Sequence, residues 1–288
     1  MPNISTSQEV NAVRVTVFMP TFNQKNLVSQ ALESVLSQKV DFRYEIFVHD
    51  DASSDGTREI LEAYAEKHPD IIRLMLQDEN QYSQGRRILA LALPEFRGEY
   101  VAFLDGDDLW TNDTKLAKQV AYMDANPGCA LCQTMSSYWD SANEIELKEF
   151  PPLVRREPLP GSYLATGNFV QACATILRLS ALGKLPDDFD AIPFGDYAVY
   201  ALAARNGWIG FIPEKMARYH FHETNTWASL PVETRIERTK SVKRYLLSYL
   251  PWYQLPFWRA SLVDKKPVAL WRLFRRLDRF KIQLSASN

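Results

Sequence analysis

Glycine is scarce in this chain, 11 of 288 residues, and nowhere does it form a phosphate-cradling pattern. The first apolar run ends in Pro20-Thr21-Phe22-Asn23, where a dinucleotide-binding fold needs G-x-G-x-x-G. No G-x-x-x-x-G-K-[ST] loop occurs either, which excludes a P-loop nucleotide hydrolase. Cysteine is limited to Cys129, Cys132 and Cys173. The first two have C-x-x-C spacing, but no second pair or suitably spaced histidines complete a zinc site. They read as small buried hydrophobes, with a redox pair as the alternative, and so few cysteines suit a reducing cytosol. Basic excess is also missing: 33 Lys and Arg face 35 Asp and Glu, which argues against a general nucleic-acid binder. No apolar run approaches the roughly 18 residues of a membrane span, and no basic head with an apolar core reads as a secretory signal. A soluble cytoplasmic protein, at most attached to the inner face of the cell membrane, is the expectation.

What is present is a chain that is 46% hydrophobic, enough for a substantial core. Val13 to Met19 is a β-branched-rich run that reads as a strand, followed by a turn at Pro20 to Asn23. Leu27, Ala31, Leu32, Val35 and Leu36 then recur at helical spacing. Tyr44 to His49 reads as a second strand ending at Asp50-Asp51, and Ile60, Leu61, Tyr64 and Ala65 mark a second helix. A strand at Ile71 to Leu76, a helix at Ile88 to Ala92, a strand from Tyr100 and a helix with Leu116, Val120 and Met123 complete the alternation. Strands alternating with helices over the first ~125 residues predict a mostly parallel, Rossmann-like sheet flanked by helices.

Tyr100 to Leu104 empties directly into Asp105-Gly106-Asp107-Asp108. Open α/β sheets hold ligands at this carboxyl edge. Clustered carboxylates repel one another and lose solvation there, and a divalent cation removes that cost. A few hard oxygen ligands suit Mg²⁺ or Mn²⁺ shared with substrate phosphates. By itself the tetrapeptide is equally compatible with a simple turn, because Asp and Gly are common turn residues.

The second half is less regular. Prolines at 151, 152, 158 and 160 mark a loop-rich crossing, and Ala172 to Leu182 reads as a strand running into a short helix. Asp196 precedes the apolar helix Tyr197 to Ala204, where an N-cap role is the bland alternative to a catalytic one. Trp208 to Ile212 reads as a strand, followed by Tyr219-His220-Phe221-His222 and Trp227.

In order along the chain, Pro20-Thr21-Phe22-Asn23, Asp50 to Thr57, Gly98-Glu99-Tyr100 with Asp105 to Trp110, and Lys115-Leu116 with Gln119 resemble the family-2 nucleotide-sugar glycosyltransferases of GT-A fold. The resemblance covers roughly residues 13–228. It implies a donor site in which Pro20, Phe22, Asn23 and Asp51 hold the base side and Asp105 and Gly106 approach the ribose and diphosphate. Asp107 and Asp105 match the family's metal-binding DxD motif, and His222 lies where relatives carry a histidine that can reach the metal or diphosphate. Asp196 matches the catalytic base of an inverting displacement. Three positions depart from the pattern: Phe22 stands for a frequent Tyr, Gly195 for a Glu before the base, and His220 for an Arg. The implied partners are a nucleoside-diphosphate sugar and a glycan or lipid-linked acceptor in cell-surface polysaccharide synthesis, with Mn²⁺ or Mg²⁺ as cofactor.

The expected organisation is a frayed segment 1–12, a glycosyltransferase domain 13–228 with nucleotide-binding (13–125) and acceptor (126–228) halves, and a helical extension 229–288. From Lys240 the chain turns basic and aromatic. Leu270, Trp271, Phe274, Leu277 and Ile282 share a helical stripe beside Arg272, Arg275, Arg276 and Arg279. Such a helix suits an anionic membrane surface, and docking on the catalytic domain or another subunit is the alternative. Two rival functions stand beside the transferase. A sugar nucleotidyltransferase would need a Gly-rich basic loop after the first strand, and a catalytically silent binding or scaffold subunit would have no use for Asp196.

Overall fold

The computed structural model describes residues 12–140, 143–151, 159–221, 227 and 229–263. Its first half is the expected alternation: β1 (Val15–Thr21), α1 (Val28–Leu36), β2 (Tyr44–Asp50), α2 (Thr57–Lys67), β3 (Ile72–Leu76), α3 (Ile88–Ala92) and β4 (Tyr100–Phe103). β1 pairs in parallel with β2 on one side and β4 on the other, and β2 pairs in parallel with β3. The chain thus winds outward to β3 and returns to the far side of β1. That reversal between β1 and β4 opens a crevice at their carboxyl ends, where open α/β sheets bind ligands.

The second half adds β5 (Leu109–Trp110), α4 (Lys115–Ala125), β6 (Cys129–Asp140), β7 (Ile145–Phe150), β8 (Leu159–Pro160), β9 (Thr175–Arg178), α5 (Leu179–Leu182), α6 (Asp196–Ala203) and β10 (Trp208–Phe221). α7 (Val232–Leu246) and α8 (Leu255–Ala260) follow. The sheet order is β3-β2-β1-β4-β9-β6-β10-β5, with β7 on β6 and β8 on β10. β9 enters antiparallel between β4 and β6, while β10 runs parallel to β6. The sheet is therefore mixed but mostly parallel in its long strands.

Strand alternation sorts the core into two layers. Val15, Val17 and Met19, Ile46 and Val48, and Tyr100 and Ala102 face one layer, completed by Leu32 and Val35 of α1, Leu61 of α2 and Leu116 and Met123 of α4. Phe18, Phe47, Val101 and Phe103 face the other, covered by α6 and by Val242, Leu246, Phe257 and Trp258. Burial on both faces explains why these strands read as nearly continuous apolar runs. Gly98 permits the approach of β4 to β1, since a Cβ there would lie 2.4 Å from the Thr16 nitrogen.

Several details differ from the sequence reading. β1 starts at Val15 and continues through Pro20-Thr21, because both residues still pair with β2 at His49 and Asp50. The strand expected at Trp208 to Ile212 continues to Phe221, its pairing with β6 shifting register near Ile212 to Ala217. β6 and β7 are additional strands, although Ile145-Glu146-Leu147-Lys148 does alternate apolar and polar. Cys129, Cys132 and Cys173 are buried free thiols, and burial pushes the Cys129 pKa up to about 12, so the C-x-x-C spacing is core packing.

Residues 229–263 add to the second core layer. Trp258 is fully buried, with its ring 5.9 Å from that of Tyr197. Lys243 is buried too and donates to the Ala165 carbonyl at 3.0 Å. Tyr253 Oη and Gln254 Nε2 both donate to the Arg205 carbonyl at 3.1 Å. Among the described residues no helix is long and apolar enough to cross a membrane. The basic helix expected over Val268 to Ile282 lies outside the described residues.

Candidate active site

The ends of β1 and β2 are latched by side chains. Asp50 is fully buried, and its carboxylate accepts from Thr21 Oγ1 at 3.1 Å, Ser53 Oγ at 2.6 Å and Ser53 N at 3.1 Å. Asp55 accepts from Lys25 N at 3.0 Å and from Thr57 N at 2.9 Å, and Thr57 Oγ1 accepts from Gln24 N at 2.8 Å. Asn23 holds the left-handed conformation that Asn tolerates, φ 54°, and its Oδ1 accepts from Ser54 N at 2.9 Å. The run Asp50 to Thr57 is therefore a clasp between two strand–helix turns.

Asp51 is buried at the same edge. Its carboxylate accepts from Gln81 N at 2.7 Å and Tyr82 N at 3.1 Å, while its carbonyl accepts from Asn80 Nδ2 at 3.1 Å. Each oxygen keeps a second lone pair. Phe22 leaves 47% of its surface open beside this clasp. Pro20 offers its carbonyl to Gly106 N at 3.1 Å, which ties β1 to the acidic turn.

In that turn, carboxylate oxygens of Asp105, Asp107 and Asp108 lie within 4.8 Å of one another. Gly106 is required by close approach: a Cβ would sit 2.4 Å from Gln24 Oε1 and 2.6 Å from Thr21 Cγ2. Asp108 N donates to the Asp105 carbonyl at 2.9 Å, and Asp108 Oδ1 accepts from His220 N on β10 at 3.0 Å. Asp108 is thus buried and committed to the fold, whereas Asp105 and Asp107 are partly open. Desolvation, then the charges of Asp107 and Asp196, push the Asp105 pKa up to about 8. Burial also raises Asp108, with Asp107 and Asp105 adding to the effect. An all-oxygen set of this kind suits a hard divalent cation.

Asp196 comes to this cluster from another element, and its charge is felt by Asp105. It is the first residue of α6, with Gly195 in the cap position, so the N-cap expectation is corrected by one residue. The rest of that helix is buried and apolar, which gives Asp196 a rigid mount. Solvent reaches the side chain, yet crowding by protein raises its pKa against the lowering effect of backbone hydrogen bonds and Asn168. Asn168 Nδ2 donates to Asp196 Oδ2 at 3.4 Å.

The structure thus brings Pro20, Asn23, Asp51, Asp105, Gly106, Asp107 and Asp196 to one sheet edge, with Phe22 exposed at its rim. His222 lies outside the described residues. Sequence reading missed Asn168, which sits in a loop with no periodicity, and the Gln81-Tyr82 amides, which no side-chain pattern marks. Behind the acidic turn, Lys115 is fully buried, its Nζ donating to Gln119 Oε1 at 2.8 Å and lying 4.0 Å from the Trp110 ring centre. Burial lowers its pKa to about 7.

Residues 16–185 match the family model for glycosyl transferase family 2. An uncharacterized Mycobacterium tuberculosis protein, Rv1520, is 33% identical over 223 residues, which are 75% of this chain and 61% of that protein. The chain therefore spans about three fifths of the length of its mycobacterial relatives. The Bacillus subtilis protein named "Putative teichuronic acid biosynthesis glycosyltransferase TuaG" is 39% identical over 109 residues, 38% of this chain and 41% of TuaG. Among solved structures, S. aureus TarS in complex with UDP-GlcNAc superposes with a TM-score of 0.66 at 20% identity, over 88% of this chain and 71% of that one. The Pyrobaculum calidifontis mannosyltransferase PcManGT, in complex with GDP-Man and Mn²⁺, gives 0.58 at 19% identity, over 96% and 87%. These structural likenesses place the α/β sheet in the GT-A fold expected from the sequence. With the family model spanning more than half of its length, the chain belongs to glycosyl transferase family 2.

Proposed function

We propose that the chain transfers a glycosyl group from a nucleoside-diphosphate sugar to a hydroxyl acceptor with inversion at the anomeric carbon. The observation that carries this reading is the seating of α6, which begins at Asp196, against the end of β4: the Tyr200 ring of α6 meets that of Phe103, two residues before Asp105, edge-on at 6.1 Å. A mere binding module has no use for a second, separately mounted carboxylate facing its ligand site.

The donor's base belongs at the clasp, where Pro20, Phe22, Asn23 and Asp51 line the ends of β1 and β2. The second lone pairs of the Asp51 carboxylate are free to accept from a base N–H, while the amides of residues 81–82 hold it in place. Asp105 and Asp107 are the residues that would hold Mn²⁺ or Mg²⁺, with Gly106 giving the turn its close approach to β1 and His222 assigned by sequence alone. When bound, the ion would neutralise charge on the departing nucleoside diphosphate. Ionised Asp196 takes the proton of the attacking hydroxyl, and Asn168 fixes the orientation of its carboxylate. No covalent sugar–enzyme intermediate is needed.

On this reading residues 13–125 supply donor contacts and residues 126–228 supply the base and the acceptor side. A glycan or lipid-linked acceptor is favoured by the teichuronic acid enzyme above and by E. coli WfgD, 33% identical over 109 residues, whose name specifies a diphosphoundecaprenol-linked acceptor. Attachment of the basic C-terminal segment to an anionic membrane surface belongs to the same proposal. The test is a nucleotide-sugar screen with Mn²⁺, followed by Asp196→Asn. The variant should keep the donor-induced rise in melting temperature and lose roughly 10²–10⁴-fold in transfer rate. Full activity in folded Asp196→Asn would return Asp196 to a structural role and favour the silent-subunit reading.

A further inference from the structure

We infer that Phe194 and Trp227 form an aromatic platform that receives the acceptor's sugar ring beside the base. The inference deepens the transferase reading above and rests on it for the role of Asp196. The two rings meet edge to face, with centroids 4.8 Å apart and planes at 61°. Phe194 is packed against the second core layer, whereas Trp227 leaves 38% of its surface open. Phe194 precedes Asp196 by two residues, so their α-carbons lie within about 7 Å. Phe194 and the base are thus carried on one short segment at the start of α6, with Trp227 against the Phe194 ring.

The mount is firm. Arg87 Nη1 donates to the Pro193 carbonyl at 3.3 Å, and Asp190 accepts from Arg87 N and Arg86 Nε at 2.7 Å each. These bonds pin segment 190–194 to the loop that also holds Asp51. The platform's chemistry fits a pyranose. The negative face of an aromatic ring attracts the positive C–H edge of a neighbour, and a sugar presents such C–H groups on one face and hydroxyls at its rim. A nucleobase is the less suitable occupant, because the clasp for it lies at the ends of β1 and β2. An exposed Trp braced by Phe next to a general base orients a neutral sugar without competing for the proton.

The experiment uses the full chain labelled with 5-fluorotryptophan, its seven tryptophans resolved by ¹⁹F NMR and the Trp227 line assigned from Trp227→Phe. Methyl α- and β-glycopyranosides of glucose, galactose, mannose and N-acetylglucosamine are titrated in the presence of UDP and Mn²⁺. At least one should shift the Trp227 line saturably. Trp227→Ala should weaken binding of that glycoside about fivefold by saturation-transfer NMR, within the range of one aromatic contact, and Trp227→Phe should restore part of it. No movement of the Trp227 line across the panel, or equal binding by Trp227→Ala, overturns the platform. Nucleotide-sugar cleavage measured in parallel separates the two ideas. Cleavage without any Trp227 response sinks the platform alone, and a Trp227 response without cleavage of any donor sinks the transferase reading alone.

Discussion

On the β1–β3 side of the cleft, polar side chains are bound to one another: Asp50 to Thr21 and Ser53, Asp55 to Thr57, Asn23 to Ser54, and Asp51 to the amides of Gln81 and Tyr82. On the α6 side, Asp196 stands open to solvent with a long 3.4 Å bond from Asn168. The first arrangement presents a fixed surface to a ligand, because its charges are already hydrogen-bonded and cost nothing further to order. The second leaves a carboxylate with room to take up a proton. A cleft that must hold one substrate and deprotonate another needs both kinds of wall.

That contrast is most sharply broken at the acidic turn between the two walls. Asp107→Ala should abolish transfer and most Mn²⁺-dependent donor binding while the fold survives, since it removes a partly open oxygen that no strand pairing uses. Calorimetric titration of a nucleotide sugar with and without Mn²⁺ checks this, and an unaltered metal response would refute it. Damage to the clasp should appear as stability instead. Asp50→Ala removes the acceptor shared by Thr21 Oγ1 and by Ser53 N and Oγ and should cost about 1–3 kcal/mol, read by urea denaturation. Asp196→Ala, by comparison, should leave the denaturation midpoint nearly unchanged.

A pH-dependent effect on stability is expected behind the turn, at Lys115. In the unfolded chain this amine holds its proton up to its ordinary value of 10.5, whereas in the folded protein burial lowers the pKa to about 7. Between those values the unfolded state binds more protons, so wild-type stability should gain with rising pH. Lys115→Met lacks this contribution. Thermal melts of the two proteins from pH 6 to 9.5 should therefore show wild type improving relative to the variant as pH rises, and a constant gap would contradict the burial argument.

Much of this was legible in the sequence because the relevant signals are local. The β-branched runs ending in Asn23, Asp51 and Asp105 announce strands that open at one edge, and both core layers follow from their alternation. The partnership of Asp196 with Asp105 is not local. It depends on β9 entering antiparallel beside β4 and on α6 returning over the sheet, pairings decided by tertiary packing. Asn168 and the amides of residues 81–82 escaped for a related reason, since a loop residue or a backbone N–H has no spacing rule. The basic residues of α7 misled in part: Lys243 looks like surface charge but is buried against Ala165.

The central claim, that Asp196 is the base acting across from the acidic turn, is tested most directly by the pH dependence of transfer at saturating Mn²⁺ and donor. Crowding raises the Asp196 pKa, and the reaction needs its ionised form, so kcat should climb with pH along a limb centred above the ordinary carboxylate range. In Asp196→Asn the residual rate should lose that limb while donor affinity stays the same. The same limb persisting in Asp196→Asn, with its midpoint unmoved, would contradict the assignment.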